Sequence, residues 1–180
     1  MARLCRPACL AAASGGDRGV IYCQPAPTPL GDMLLVADAS HLCGAYFIGQ
    51  KYFPQVEPHW CTDADLPVLR QAREELDEFF RGQRRQFTVP LNPRGTAFQR
   101  SVWQLLAAIP YGATVSYGDL ARQLGDARHA RAVGGATGRN PLSVIVPCHR
   151  VLGASGSLTG YAGGLQRKQA LLRLEGIRQS

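Results

Sequence analysis

Hydrophobic and polar positions alternate in blocks along this chain, and the period of the blocks changes near its middle. From Val20 to about Ile48, the β-rich runs Val20-Ile21-Tyr22-Cys23 and Met33-Leu34-Leu35-Val36 flank Pro29-Leu30-Gly31-Asp32, a turn signal, so a hairpin is expected. Between Ala64 and Arg81, Leu66, Leu69, Ala72, Leu76, Phe79 and Phe80 share one helical face, and Gly82 stands where a helix commonly ends. That helix should cover the sheet. Its acidic run Glu74-Glu75-Leu76-Asp77-Glu78 reads as a solvated face without chemistry, and Gln86-Phe87-Thr88-Val89 as a returning strand.

After a proline-bearing join the pattern turns helical. Thr96 is placed to cap a helix through Phe98, Val102, Leu105, Leu106 and Ile109, which Pro110-Tyr111-Gly112 ends. Ser116 should cap a short helix from Tyr117 to Leu124, ended by Gly125, and a third helix follows from about Ala127 to Ala136. Two short helices joined by a glycine turn read as a helix-turn-helix. The third element mixes cations with alanine and glycine. Glycine costs a helix roughly 1 kcal/mol relative to alanine, so close approach to a backbone or tight helix packing would each explain it. The expected fold is α+β: a frayed tail over 1–19, a small sheet-plus-helix domain over 20–90, a linker over 91–95, and a mostly helical, winged-helix-like domain over 96–180.

With 180 residues and 46% hydrophobic composition the chain can bury a real core. Charge is unevenly spread. Residues 1–90 carry 9 basic and 10 acidic side chains, whereas residues 91–180 carry 11 basic and 3 acidic, so the formal +7 belongs to the second half. Nearly all those cations are arginine, which suits bidentate phosphate and base contacts, though solvated surface cations fit the count as well. The six cysteines, at 5, 9, 23, 43, 61 and 148, are irregularly spaced, and Pro7 interrupts the only short apolar run near the start. A reducing, cytoplasmic setting without a membrane anchor is expected. His41-x-Cys43 and His59-x-Cys61 lack the spacing of structural zinc ligands.

The candidate chemistry lies at Ser143-Val144-Ile145-Val146-Pro147-Cys148-His149-Arg150-Val151. A β-branched strand stopped by proline would release Cys148 at its end, near the start of a turn or helix, with His149 or Arg150 lowering the thiol pKa. Buried, inert packing is the other reading of a lone cysteine.

Around that run the chain resembles the O6-alkylguanine-DNA alkyltransferases. The resemblance rests on Pro147-Cys148-His149-Arg150, Arg131-Ala132-Val133-Gly134, Asn140-Pro141, Thr159-Gly160-Tyr161-Ala162-Gly163-Gly164 and a Leu-rich helix ending Glu175-Gly176. It is nearly continuous over about residues 96–176 and loose over 28–90, and its spelling is nearest the bacterial single-function form.

The resemblance implies that Cys148 takes the alkyl group from O6 of guanine once and irreversibly. His149 would be the base, acting through water, and Glu175 would orient it. Tyr117 would act at the leaving guanine, and Asn140 would tie the third helix to the Cys148 turn. Tyr161, Ala162, Val151 and Arg150 would form the pocket, with the Ala162 amide on O6. Arg131 would fill the space of a flipped nucleotide from a minor-groove helix, with Arg128, Ala130, Ala132 and Gly134 beside the DNA. Double-stranded DNA containing O6-alkylguanine is the implied partner, bound by a monomer or cooperatively. No cofactor and no metal are expected: where eukaryotic members have zinc ligands, this chain has Asp38 and Cys43. Thr137-Gly138-Arg139 departs from the family's commonest spelling of that turn, which bears on pocket width and phosphate contact. Two other readings share these residues: a DNA-binding module without chemistry and a cysteine hydrolase using Cys148, His149 and Glu175.

Overall fold

The computed structural model describes residues 6–7, 19–63 and 65–178 and divides the chain into two compact units. The first comprises residues 1–48 and 53–93. The second comprises 49–52 and 94–180, so four residues from the first half of the sequence belong to the unit built by the second half. The tail expected over 1–19 lies almost wholly outside the described residues. Within it, Arg6–Pro7 (β1) pairs in parallel with Cys61–Thr62 (β5). Cys23 is disulfide-bonded, against the expectation of wholly reduced cysteines, while Cys43, Cys61 and Cys148 are free. Among the described residues no helix is long and apolar enough to cross a membrane.

In the first unit the expected hairpin is Tyr22–Ala26 (β2) against Met33–Ala37 (β3), and Leu42–Phe47 (β4) adds antiparallel to β3. Gly31, at φ +109°, lets its own amide reach back to the Thr28 carbonyl at 3.1 Å and tightens the turn between β2 and β3. The sheet runs β1-β5-β2-β3-β4. Every residue of β3 is buried, as a central strand covered on both faces requires. The covering helix is α1, Pro67–Phe80, with Val68, Leu69, Ala72, Leu76 and Phe79 inward and proline in its first turn, where its missing N–H costs nothing.

Two expectations fail here for one reason. Residues 86–89 form no strand, and Glu75 is not solvated: it is buried, and its carboxylate accepts from the Thr88 amide at 2.8 Å, the Val89 amide at 3.2 Å, Gln71 Nε2 at 2.9 Å and the Thr88 hydroxyl. The amides that a ladder would have used are taken by a helix side chain. Glu75 therefore acts as the pairing edge for the returning chain.

The second unit begins with α2, Ala97–Ala107, and α3, Tyr117–Gln123. Each carries the reciprocal cap that its sequence spells, Thr96 with Gln99 and Ser116 with Asp119. After a 3-10 turn at Ala127–His129, α4 runs Ala130–Gly138, later than expected, and packs on α2 and α3. Trp103 Nε1 donates to the Ala136 carbonyl at 2.9 Å, fastening α2 to α4. A Cβ on Gly134 would meet the Tyr117 ring at 3.7 Å, an ordinary van der Waals contact, so α4 packs on that tyrosine at a distance that an alanine would also fit. Val115–Ser116 (β6) pairs in parallel with Val151–Leu152 (β7), and α5, Leu165–Leu174, closes the unit.

Burial alone would raise the Glu75 carboxyl pKa, but the hydrogen bonds from Thr88, Gln71 and Val89 outweigh it and hold the pKa below the ordinary value. An unfolded chain binds this proton more readily than the folded one. The stabilisation is thus complete above the usual carboxylate range and is lost as pH falls through the folded value. Urea unfolding at neutral pH should show Glu75→Ala less stable by about 3 kcal/mol, the cost of leaving buried amides without an acceptor. Glu75→Gln should lose less and should flatten the fall in stability at acid pH.

Candidate active site

The site is made by a stretch of chain that is buried yet irregular. Every residue from Asn140 to Leu152 is buried, although only the last two lie in a strand. The β-branched strand expected over 143–146 is a set of turns instead. Val146 N–H reaches the Leu142 carbonyl at 2.9 Å, and Val144 adopts φ +73°, a conformation that a β-branched residue takes only under constraint.

Asn140 supplies that constraint. Its Oδ1 accepts from the Leu142 amide at 3.0 Å, and its Nδ2 donates to the Val146 carbonyl at 2.8 Å, the Leu142 carbonyl at 3.4 Å and Cys148 Sγ at 3.1 Å. One side chain thus replaces the ladder and also touches the sulfur. Pro147 then starts a single 3-10 turn, Cys148–Arg150, in which the Cys148 and Arg150 amides donate to the Val146 and Pro147 carbonyls.

Behind the thiol lies a buried charge cluster. Glu175 caps the end of α5 and accepts from His149 Nε2 at 2.8 Å, from Arg150 Nε at 2.9 Å and Nη2 at 2.9 Å, and from the Gly112 amide at 3.1 Å. Arg150 also donates to the Ile109 carbonyl and faces the Tyr111 ring at 5.7 Å. Burial would raise the Glu175 carboxyl, but His149 and Arg150 prevail and hold it at about 2. The carboxylate is therefore ionised, His149 Nε2–H points to it, and Nδ1 is left as the acceptor. No hydrogen-bond partner meets Nδ1 among the described residues. Burial lowers the His149 pKa more than Glu175 raises it, so the imidazole is neutral at pH 7 and able to take a proton.

Two placements correct the sequence reading. The expected cation beside the sulfur does not set its resting state: burial pushes the Cys148 thiol up, outweighing the lowering by Asn140 and Lys168. And two of the basic residues counted toward a polyanion face inward. Arg150 is spent on Glu175. Lys168 is fully buried, donating Nζ to the Val151 carbonyl at 2.5 Å and the Thr159 carbonyl at 2.6 Å, and burial lowers its pKa to about 8. Nothing in the spelling of α5 separates Lys168 from the exposed cations near it. Its one signal is a position facing the β7 carbonyls.

The other expected residues fall into two groups. Near the thiol, Val151 is fully buried, and the Tyr161 phenol is pushed well up by burial and by the Cys148 charge. Ala162 accepts from the Lys51 amide at 3.0 Å through its carbonyl. Tyr117, the first residue of α3, donates its hydroxyl toward the Thr159 and Gly160 carbonyls at 3.3 and 3.2 Å, and burial raises its pKa, so it keeps its proton. On the outer side of α4, Arg131 and Ala132 are exposed, and Ala130 and Gly134 are half-buried. Arg128, just before α4, is exposed and paired with Asp126 at 2.7 Å.

Comparison with known proteins gives consistent matches over most of the chain. Residues 21–93 match the family described as 6-O-methylguanine DNA methyltransferase, ribonuclease-like domain, and residues 97–177 match its DNA binding domain. A methylated-DNA–protein-cysteine methyltransferase of Haemophilus influenzae is 41% identical over 158 residues, 87% of each chain. One of Methanosarcina acetivorans is 45% identical over 149 residues, 83% of this chain and 94% of that one. A crystal structure of Mycobacterium tuberculosis OGT in complex with DNA superposes with a TM-score of 0.82 at 45% identity, covering 86% of this chain and 93% of that one.

Glu175→Gln should leave Arg150 buried without its counter-charge, and loss of one member of such a pair costs about 3–5 kcal/mol. Chemical unfolding measures it. In the unaltered protein the depressed Glu175 pKa gives stability that is present above the ordinary carboxylate range and disappears as pH falls toward about 2. Neutral, buried His149 acts in the same direction from the ordinary imidazole value downward, so acid unfolding should begin earlier than carboxylates alone would dictate; Glu175→Gln should remove the carboxylate part of that dependence and, by taking away the charge that raises His149, deepen the imidazole part.

Proposed function

The chain belongs to the 6-O-methylguanine DNA methyltransferase family, and from that premise we propose that it repairs DNA directly, moving an alkyl group from O6 of guanine onto its own Cys148. The observation that carries the reading is the arrangement around one buried sulfur: Asn140 on Sγ, and a neutral His149 oriented by ionised Glu175 with Nδ1 as acceptor.

The steps follow from those positions. His149 Nδ1 draws the Cys148 proton through a water molecule, because neighbouring residues in a 3-10 turn do not face each other directly. Asn140 Nδ2 and the nearby Lys168 charge support the thiolate as it forms. The sulfur attacks the alkyl carbon in line, an S–C bond forms, the C–O bond breaks, and guanine leaves with the electron pair. Tyr117 retains its proton at neutral pH and supplies it, or a hydrogen bond, to the departing ring. The Ala162 amide binds O6, Tyr161 walls the pocket, and the Cys148 and Val151 carbonyls read the amino edge. Val151 can do so while Lys168 holds it, since a carbonyl oxygen has two lone pairs. Arg150 supports this pocket from behind through Glu175. A thioether does not hydrolyse, so each molecule acts once.

Reaching Cys148 requires the nucleotide to leave the duplex, at a cost of a few kcal/mol. We assign that task to residues 96–180: α4 enters the minor groove, Arg131 occupies the space of the flipped nucleotide, and Ala130, Ala132, Gly134 and Arg128 line the approach. The protein works with the chromosomal DNA, in the cytoplasm, as a monomer that can bind in series. O4-alkylthymine, with its alkyl group on an equivalent exocyclic oxygen, is a second substrate.

Intact-mass measurement after mixing with an oligonucleotide carrying O6-methylguanine should show one methyl group per chain, located on Cys148 by peptide mapping. Tight binding without an adduct would instead identify a recognition module, and repeated turnover by Cys148 a hydrolase. Arg131→Ala should slow repair of duplex DNA at least tenfold more than reaction with free O6-benzylguanine. Equal losses would remove Arg131 from the flipping step.

A further inference from the structure

Residues 49–52 lie in the second unit, and the way they are held there points outward. Gln50 is buried, and its Oε1 accepts from the Ser143 hydroxyl at 3.1 Å, within the same buried stretch that presents Cys148. The Lys51 amide donates to the Ala162 carbonyl at 3.0 Å. Pinned at these two points, the chain turns through Tyr52 at φ +61°, a left-handed conformation that a tyrosine keeps only where its surroundings fix it. The fixed turn leaves Tyr52 45% exposed, with Lys51 Nζ 4.9 Å from its ring centroid and Arg139 Cζ also at 4.9 Å.

Two exposed cations sharing one ring repel each other, and among the described residues of their own unit no carboxylate side chain is paired with either. Its three carboxylate side chains are committed elsewhere: Asp119 to Arg122, Asp126 to Arg128, and Glu175 to His149 and Arg150. A cation at the end of a helix is favoured by the helix dipole, which accounts for Arg139 at the end of α4 but not for Lys51 beside it. The position of the pair along α4 supplies the missing reason. Arg131, Gly135 and Arg139 are exposed at successive intervals of four residues, so Arg139 continues the outer face that starts at Arg131, about 12 Å further along at 1.5 Å per residue.

We propose that Lys51, Tyr52 and Arg139 form a phosphate-binding extension of the α4 face, contacting the DNA backbone beyond the flipped nucleotide. The proposal rests on the alkyltransferase reading above. It gives a use to the turn Thr137-Gly138-Arg139, which sets an arginine beside Lys51 on the Tyr52 ring. It also gives one to residues 49–52, which would carry the backbone contact from a part of the sequence that otherwise builds the other unit. The contact reads charge and spacing, not sequence, because both cations meet phosphate and neither is aimed at a base edge by anything in the structure.

The test is the salt dependence of duplex binding, measured by fluorescence anisotropy on the full chain with and without O6-methylguanine in the duplex. Removing one phosphate contact lowers the slope of log affinity against log salt by about 0.9. Lys51→Ala and Arg139→Ala should each reduce it by about that much, the double variant by about twice as much, and both should weaken binding equally for all sequences. Tyr52→Gly, which relieves the backbone but removes the ring, should reduce the same slope in part. An unchanged slope in the double variant overturns the proposal and leaves the cluster as surface packing. So does an equal fall in rate with free O6-benzylguanine, which would make residues 49–52 a support of the pocket wall. If the unaltered protein neither binds duplex nor becomes methylated, the alkyltransferase reading falls and takes this extension with it; a methylated wild type with unchanged variants sinks the extension alone.

Discussion

A buried stretch of chain without regular structure must find partners for its own backbone, and in this protein the placement of the Cys148 thiol depends on how that is done. Residues 140–152 are all buried, so each amide and carbonyl that a ladder would have paired needs another partner at a cost of about 1–3 kcal/mol if none is found. Asn140 answers for three of them with one side chain and keeps its remaining reach for Cys148 Sγ. The constraint that folds the loop is therefore the same one that sets the position of the sulfur. Val144 at φ +73° is the strain that this closure accepts.

The electrostatics follow from the same burial. A thiolate held permanently in this setting would carry a heavy desolvation cost, and the resting state avoids it: the Cys148 pKa is raised and His149 is neutral. The charge kept in the core is instead the Glu175–Arg150 pair, bidentate and fully hydrogen-bonded, in the geometry in which a buried pair repays its desolvation. Lys168 is the adjustable member. With a pKa near 8 it is close enough to neutrality for its own burial to be tolerable, yet it is mostly charged at neutral pH and lowers the cost of a thiolate at Cys148.

What could be read from the sequence divides along the range of the interactions involved. The caps at Thr96 and Ser116 close within three residues, and α2 and α3 begin where those residues predict. The apolar face of α1 and the hairpin of β2 with β3 are also short-range patterns, and they hold. Ser143-Val144-Ile145-Val146 has the composition of a strand, but among the described residues no partner strand meets it; the competing partner is an asparagine side chain, whose preference composition does not express. Glu75, Arg150 and Lys168 fail for a related reason. Each is a charged residue that counting assigns to solvent, and each is instead the hydrogen-bond partner of a distant backbone segment, at 88–89, 109 and 151 with 159. The motif around Cys148 named the residues that meet there. It did not say that Asn140 would be bonded to the sulfur.

The two-stranded sheet of the second unit joins the start of α3 to the turn that carries Cys148. β6 and β7 pair over only two residue couples, Val115 with Val151 and Ser116 with Leu152. Tyr117 and the helix pair α3–α4 follow directly from β6, and the turn carrying Cys148 runs directly into β7. Two-residue pairings are weak by themselves, so this one must be held from outside. Lys168 does so by taking the Val151 carbonyl together with that of Thr159, and Tyr117 reaches the Thr159 and Gly160 carbonyls from the other side. A displacement of α3 is therefore felt at the turn carrying Cys148 through these shared carbonyls, and one of α4 through Asn140, which follows that helix and touches the sulfur. In the proposed reaction this bracing would let the unit bind DNA on its surface while holding Cys148 at a fixed distance from the extruded base, as an in-line displacement at carbon requires.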